Sequence, residues 1–232
     1  MGGFPFLRTN LRGNVMTRAY GPGSTAVLLV DPYNDFLSPG GKLYEPAKAV
    51  IESVGTVLHM REVLATVRAV GIAVFYVPHH RARPSDFSGW RHASSYLLAG
   101  HQAQVFAEGS WGGQWHPDFE PQPEDVIARE HWSSSGFANT DLDLQLRRRG
   151  IERVIFIGLL ANTCIETSAK YAAELGYHVT LVRDATAAFK PEAMHAAHVI
   201  NGPTYAHDIV SSEQLIAALQ AAPKHPTAAR AA

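Results

Sequence analysis

An alternation constrains this chain more than any other feature. Short, almost wholly apolar runs rich in β-branched residues recur along it, separated by stretches with helical spacing. "TAVLLVD" (25–31), "IAVFYVP" (72–78), "DVIAR" (125–129), "RVIFIG" (153–158) and "HVTLVRD" (178–184) read as strands, most of them buried on both faces. "HDIV" (207–210) is a short sixth. Between and after them, segments 45–71, 140–150, 164–176, 191–200 and 212–221 carry helical periodicity, several with a closing Gly or an opening Pro. Ile165, Ala169 and Ala172 fall at i, i+4 and i+7 and so share an inward face. Strands alternating with helices need right-handed crossovers, which favour a parallel sheet covered on both faces. The expected fold is α/β: a three-layer α-β-α domain, doubly wound about a mainly parallel six-stranded sheet. Ligands of such sheets bind at the carboxyl ends of the strands, where strand order reverses.

The chain's 232 residues fit one such domain, expected over 22–222, with an N-terminal extension (1–21) and a disordered tail (223–232). Segment 79–124 is long for a connection and holds Trp90, Trp111 and Trp115, which suits a lid, an oligomer contact or both. The net charge of −1 gives no reason to expect nucleic acid or an anionic membrane as a partner. No apolar run is long enough for a membrane span. One cysteine, Cys164, cannot build an intrachain disulfide framework, so a cytoplasmic protein is expected.

Three strand ends carry reactive groups. Asp31 follows five apolar residues, so its carboxylate should sit at the mouth of the sheet, partly desolvated and suited to proton transfer. It also reads as a turn residue beside Pro32 and Asn34. The third strand ends at Arg129, with His131 two residues on. The fourth leads to Cys164, at the start of a helix. Backbone N–H groups and the helix dipole would there stabilise a thiolate, and the same amides would hold an oxyanion. The plainer reading of Cys164 is a small buried hydrophobe. Neither a G-x-G-x-x-G after the first strand nor a G-x-S-x-G elbow occurs.

"LLVDPYNDF", the block from "SGFANTD" to "RDATAAF" (135–189) and "HDIVSSEQL" resemble the isochorismatase-like cysteine hydrolase superfamily, over roughly 24–220. The resemblance to its amidohydrolase branch implies an Asp–Lys–Cys triad. Asp31, with Asp35 and Phe36, matches its D-x-x-x-D-F motif, and Cys164, after Gly158 and before Ile165, matches its cysteine motif. The resemblance further implies a cis peptide at Leu159–Leu160, turning the amide of Leu160 toward that of Cys164 as an oxyanion hole. The lysine is missing. Arg129 is its natural counterpart at the strand end; without two extra residues in that alignment, His131 falls at the site. Arg129 would keep a positive charge but not shuttle a proton, whereas His131 could.

The implied function is hydrolysis of a C–N bond in a small amide, carbamoyl or ureido compound through a Cys164 thioester. Isochorismatase-type vinyl-ether hydrolysis with Asp31 alone, and a non-catalytic small-molecule binder, are the alternatives. Tyr33, Phe36, His80, Trp90, Phe137 and Tyr205 are candidate pocket-wall residues by placement. No cofactor or metal is expected: His79 and His80 lack a nearby carboxylate ligand set in the sequence. A small-molecule substrate and a homodimer or homotetramer are the expected partners.

Overall fold

The computed structural model describes residues 20–221. The extension over 1–19 and the tail from 222 lie outside the described residues. In chain order the elements are β1 (Thr25–Val30), α1 (Asn34–Leu37), α2 (Tyr44–Val54), α3 (Thr56–Ala69), β2 (Ala73–Val77), α4 (Ser95–Gln102) and β3 (Val126–Ile127). They continue with α5 (Leu142–Arg147), β4 (Arg153–Leu159), α6 (Glu166–Glu174), β5 (His178–Ala187), α7 (Pro191–His195), β6 (Asp208–Val210) and α8 (Ser212–Ala221). The six strands form one sheet in the order β3-β2-β1-β4-β5-β6, and every pairing is parallel. The fold is the doubly wound α/β sheet that the alternation implies.

All six residues of β1 are buried, and they alternate between two cores. Val27 and Leu29 join Val74, Tyr76, Ile155 and Ile157 beneath α2, α3 and α8. Ala26, Leu28 and Val30 join Phe75, Val154 and Phe156 against α5 and α6. Ile165, Ala169 and Ala172 are fully buried on that second face. Leu142 and Leu146 of α5 are buried there too, while Leu144 points outward. Each fully buried aliphatic side chain contributes about 1.5–3 kcal/mol relative to exposure, so the two-sided burial of the central strands fixes their order and register.

Some elements differ from expectation. The single helix expected over 45–71 is two, because Gly55 takes φ 72° and both ends α2 and precedes α3. The strand expected over 125–129 is only two residues long. Ala128 still donates to the carbonyl of Tyr76, but Arg129 turns away and its N–H donates to Asp141. The helix expected over 191–200 shortens to α7 and a π turn over Ala196–Asn201. Segment 79–124 carries α4, whose start is capped by the Ser94 hydroxyl accepting from the N–H of Leu97, and a 3₁₀ turn at Pro117–Phe119. Among the described residues, no helix is long and apolar enough to cross a membrane.

Candidate active site

The chain leaves β1, winds outward through β2 and β3, then crosses back to β4, which lies on the other side of β1. Strand order therefore reverses between β1 and β4, and the connections leaving their carboxyl ends diverge around a crevice. Asp31 stands at the end of β1 and Cys164 just after β4.

Asp31 is held with φ 51°, in the left-handed region that few residues other than Gly, Asn and Asp adopt. Its N–H donates to Val77 and its carbonyl accepts from Tyr33. Beside it Gly158 takes φ 116°, and a Cβ there would sit 2.1 Å from the carbonyl oxygen of Val30. Only glycine lets β4 lie this close to β1 at the mouth of the sheet.

His131 reaches the site because the chain bulges at Arg129 and Glu130, then rejoins the end of β2. The His131 N–H donates to Pro78, and the His80 N–H donates to the carbonyl of His131. That bulge carries the exposed Arg129 away, beside Asp141. The placement of Arg129 at the site does not hold: it stands two positions before the residue that faces Asp31, with its N–H on Asp141. His131 Nε2 lies 3.1 Å from Asp31 Oδ1, and both side chains are completely buried. The other ring nitrogen, Nδ1, lies 2.8 Å from the carbonyl of Ser133, an acceptor, so Nδ1 carries a proton. Burial opposes a charged His131, but the charge and hydrogen bond of Asp31, with the Ser133 carbonyl, outweigh it and raise its pKa.

Cys164 lies within the π turn Ala161–Ile165 that precedes α6, and it is buried. The peptide bond Leu159–Leu160 is cis. Burial pushes the Cys164 thiol well above its ordinary range; Asp31 adds to this, and the Thr163 hydroxyl and the Leu160 N–H only partly offset it. The thiolate expected from a helix start is thus not the resting form: desolvation and a neighbouring carboxylate outweigh the helix end. A thiol in this setting needs a base. Donor atoms of Asp31, His131 and Cys164 all lie within 4.8 Å of one another, and Asp31 Oδ2 is buried without a hydrogen-bond partner. Among the described residues this trio is also the group of His, Cys and acid side chains placed closely enough to hold a metal ion.

A cavity of about 270 Å³ opens onto Asp31 and Cys164. Phe36 and His80 line it, with His79, Tyr96, Phe106 and Trp132. The other expected wall residues lie elsewhere. Tyr33 is fully buried, stacked on Trp115 with its hydroxyl donating to the carbonyl of His79. Trp90 packs on Phe87 and Trp132 from the outer side, and it is about half exposed. Phe137 and Tyr205 belong to the core on the other face of the sheet. His79, Tyr96 and Trp132 carried no pattern in the sequence; the register of the bulge after β3 and the position of α4 bring them in.

The isochorismatase domain profile matches residues 25–214. This chain belongs to the isochorismatase family. The ureidoacrylate amidohydrolase RutB of Caulobacter vibrioides is 31% identical over 196 residues, covering 79% of this chain and 86% of that protein. The same enzyme of Rhizobium rhizogenes is 29% identical over 190 residues, covering 78% and 77%. A cysteine hydrolase from Pseudomonas syringae pv. phaseolicola superimposes with a TM-score of 0.73 at 25% identity, over 88% of this chain and 96% of that one. N-carbamoylsarcosine amidase from Thermoplasma acidophilum does so with 0.60 at 28% identity, over 82% and 97%. The chain is a hydrolase of the family's amidohydrolase branch.

Proposed function

We propose that this chain cleaves a C–N bond in a small amide, carbamoyl or ureido compound by thiol catalysis, with Asp31, His131 and Cys164 as its reacting group. The observation that carries this reading is the burial of all three around one another at the switch point of the sheet. Names of similar proteins support the bond type: RutB acts on ureidoacrylate, and a structural neighbour is an N-carbamoylsarcosine amidase.

In the resting site Asp31 favours the cationic form of His131, and burial favours the neutral thiol of Cys164. Asp31 takes the thiol proton as sulfur attacks the carbonyl carbon. The N–H of Leu160, directed at the sulfur, and that of Cys164 hold the developing oxyanion. The tetrahedral adduct collapses as Asp31 returns the proton to the departing nitrogen, which leaves as amine or ammonia. Water then attacks the thioester with Asp31 as base, releasing the acid and restoring the thiol. His131, bonded to Asp31, orients that carboxyl group and stabilises charge beside it. Cytoplasmic location and dimeric or tetrameric assembly belong to the same reading.

Ammonia release from primary amides, ureas and carbamoyl compounds tests it. Cys164→Ala and Asp31→Asn should each lower kcat by at least about 10³-fold with the fold intact by circular dichroism, since each removes a group acting in the reaction itself. Full activity in Cys164→Ala would overturn the thiol mechanism.

A further inference from the structure

The walls of the cavity speak to the kind of molecule that enters it. Phe36, Leu43 and Phe106 form one side, and Phe87, Leu97 and Trp132 another. The cationic groups nearby are already engaged. His80 lines the cavity, but its Nδ1 is 3.2 Å from Glu130 and its Nε2 is 2.8 Å from Asp86. Arg81 binds Glu130 and the carbonyl of Gly113, and its guanidinium lies over the rings of Tyr33 and Trp115. Arg83 pairs with Glu108. Among the described residues, no Lys or Arg lines the cavity, whereas the carboxylates of Asp31 and Asp86 do.

A carboxylate brought into such a space loses its water and finds no partner cation, and the two wall carboxylates repel it. An aryl ring gains contact with Phe36, Phe106 and Trp132 instead. Besides the unpartnered Oδ2 of Asp31, the His79 ring has a free valence. His79 Nδ1 lies 3.0 Å from the carbonyl of His80, so it donates there, and Nε2 is left as an acceptor with no protein hydrogen bond. An acceptor at that place suits the N–H of an amide.

We infer that the cavity selects an uncharged amide or ureide with an aromatic or branched apolar body and rejects carboxylate-bearing ureido acids such as ureidoacrylate. The inference rests on the thiol-hydrolase reading for the identity of the reacting bond, but not for its binding test.

Calorimetric titration of the full chain carrying Cys164→Ala compares benzamide with 4-carbamoylbenzoate, which differ by one carboxylate. Benzamide should bind at least tenfold more tightly. Equal or tighter binding of the carboxylate overturns the inference, as does failure of both to bind. Turnover by the unmodified chain separates the two readings. Faster hydrolysis of 4-carbamoylbenzoate than of benzamide defeats the substrate class and leaves thiol hydrolysis standing. No ammonia from any amide, urea or carbamoyl compound defeats the thiol-hydrolase reading, and the titration still decides what the cavity admits.

Discussion

At the scale of the residue, a histidine in place of the lysine implied by the resemblance should, under the proposed mechanism, make activity sensitive to pH in a way a lysine would not. A lysine, with an ordinary pKa near 10.4, stays charged over the working range. His131 has an ordinary value of 6.5, raised here by Asp31 and Ser133 against the opposing effect of burial. The sign follows: the cation is present at low pH and is lost as pH rises through the raised value. Asp31 then loses its compensating charge beside the substrate and the developing oxyanion. The alkaline limb of kcat/KM against pH should report this loss. His131→Lys should keep activity within about tenfold and carry the limb upward, while His131→Ala should lower kcat/KM by about 10²-fold or more. An unchanged limb in His131→Lys would mean that His131 does not set it. The placement of Asp31 and Cys164 at neighbouring strand ends was legible because each follows a clear apolar strand, and the resemblance alone singled them out as site residues. Arg129 stood ahead of His131 in the sequence because a bulge of one extra residue decides between them, and bulges leave no hydrophobic period.

At the scale of the element, the segment over 79–124 is held down by the second carboxylate of the "DPYNDF" stretch. Asp35 is buried. Its Oδ2 accepts from the N–H of Phe106 at 2.7 Å and its Oδ1 from the N–H of Lys42 at 3.0 Å. Its own N–H donates to the carbonyl of Gly112, where a Cβ would collide with the carboxylate at 2.3–2.6 Å. The Lys42 ammonium also donates to the carbonyl of Gln104. One side chain therefore ties α1 to the strip bearing Phe106, a wall of the cavity. Asp35→Ala would leave the buried N–H of Phe106 unpaired and release that of the exposed Lys42, a loss of about 1–3 kcal/mol. Chemical unfolding should show that loss. KM should rise more than kcat falls, because the wall moves while Asp31 and Cys164 stay on their strands. An unchanged KM would detach this anchor from the cavity. The sequence marks Asp35 only through the resemblance. It says nothing of α4, which has no strong amphipathic pattern and no buried residue. Four of six expected wall residues missed for the same kind of reason: side-chain direction in irregular backbone has no period to read.

At the scale of the whole molecule, the six parallel strands and the two-faced core were legible because a doubly covered parallel sheet writes itself as nearly continuous apolar runs. Its boundaries were less so, since Gly55 divides a pattern that reads as one helix and β3 ends early. Besides the core contacts of Phe106 and Phe119, a charge cluster joins the sheet to the segment above it. His80 bonds Glu130 and Asp86, Arg81 bonds Glu130, and the His80 ring stacks on Trp132 at 3.7 Å. Burial opposes each charge, yet the hydrogen bonds from His80 and Arg81 pull Glu130 down to about 2 from 4.5. Those to Glu130 and Asp86 in turn raise His80 above 6.5. Glu130's contribution is complete above about pH 4.5 and disappears as pH falls toward 2; His80's is complete below about pH 6.5 and disappears as pH rises through its raised value. Their joint contribution is greatest between those limits. With both side chains partly reached by solvent, it should be on the order of 1–2 kcal/mol. Urea unfolding of the unmodified chain and of His80→Gln, run from pH 5 to 9, should show a gap that is widest near pH 5–6 and narrows toward pH 9. A gap that stays constant across that range would mean that packing on Trp132, and not charge, is what His80 supplies.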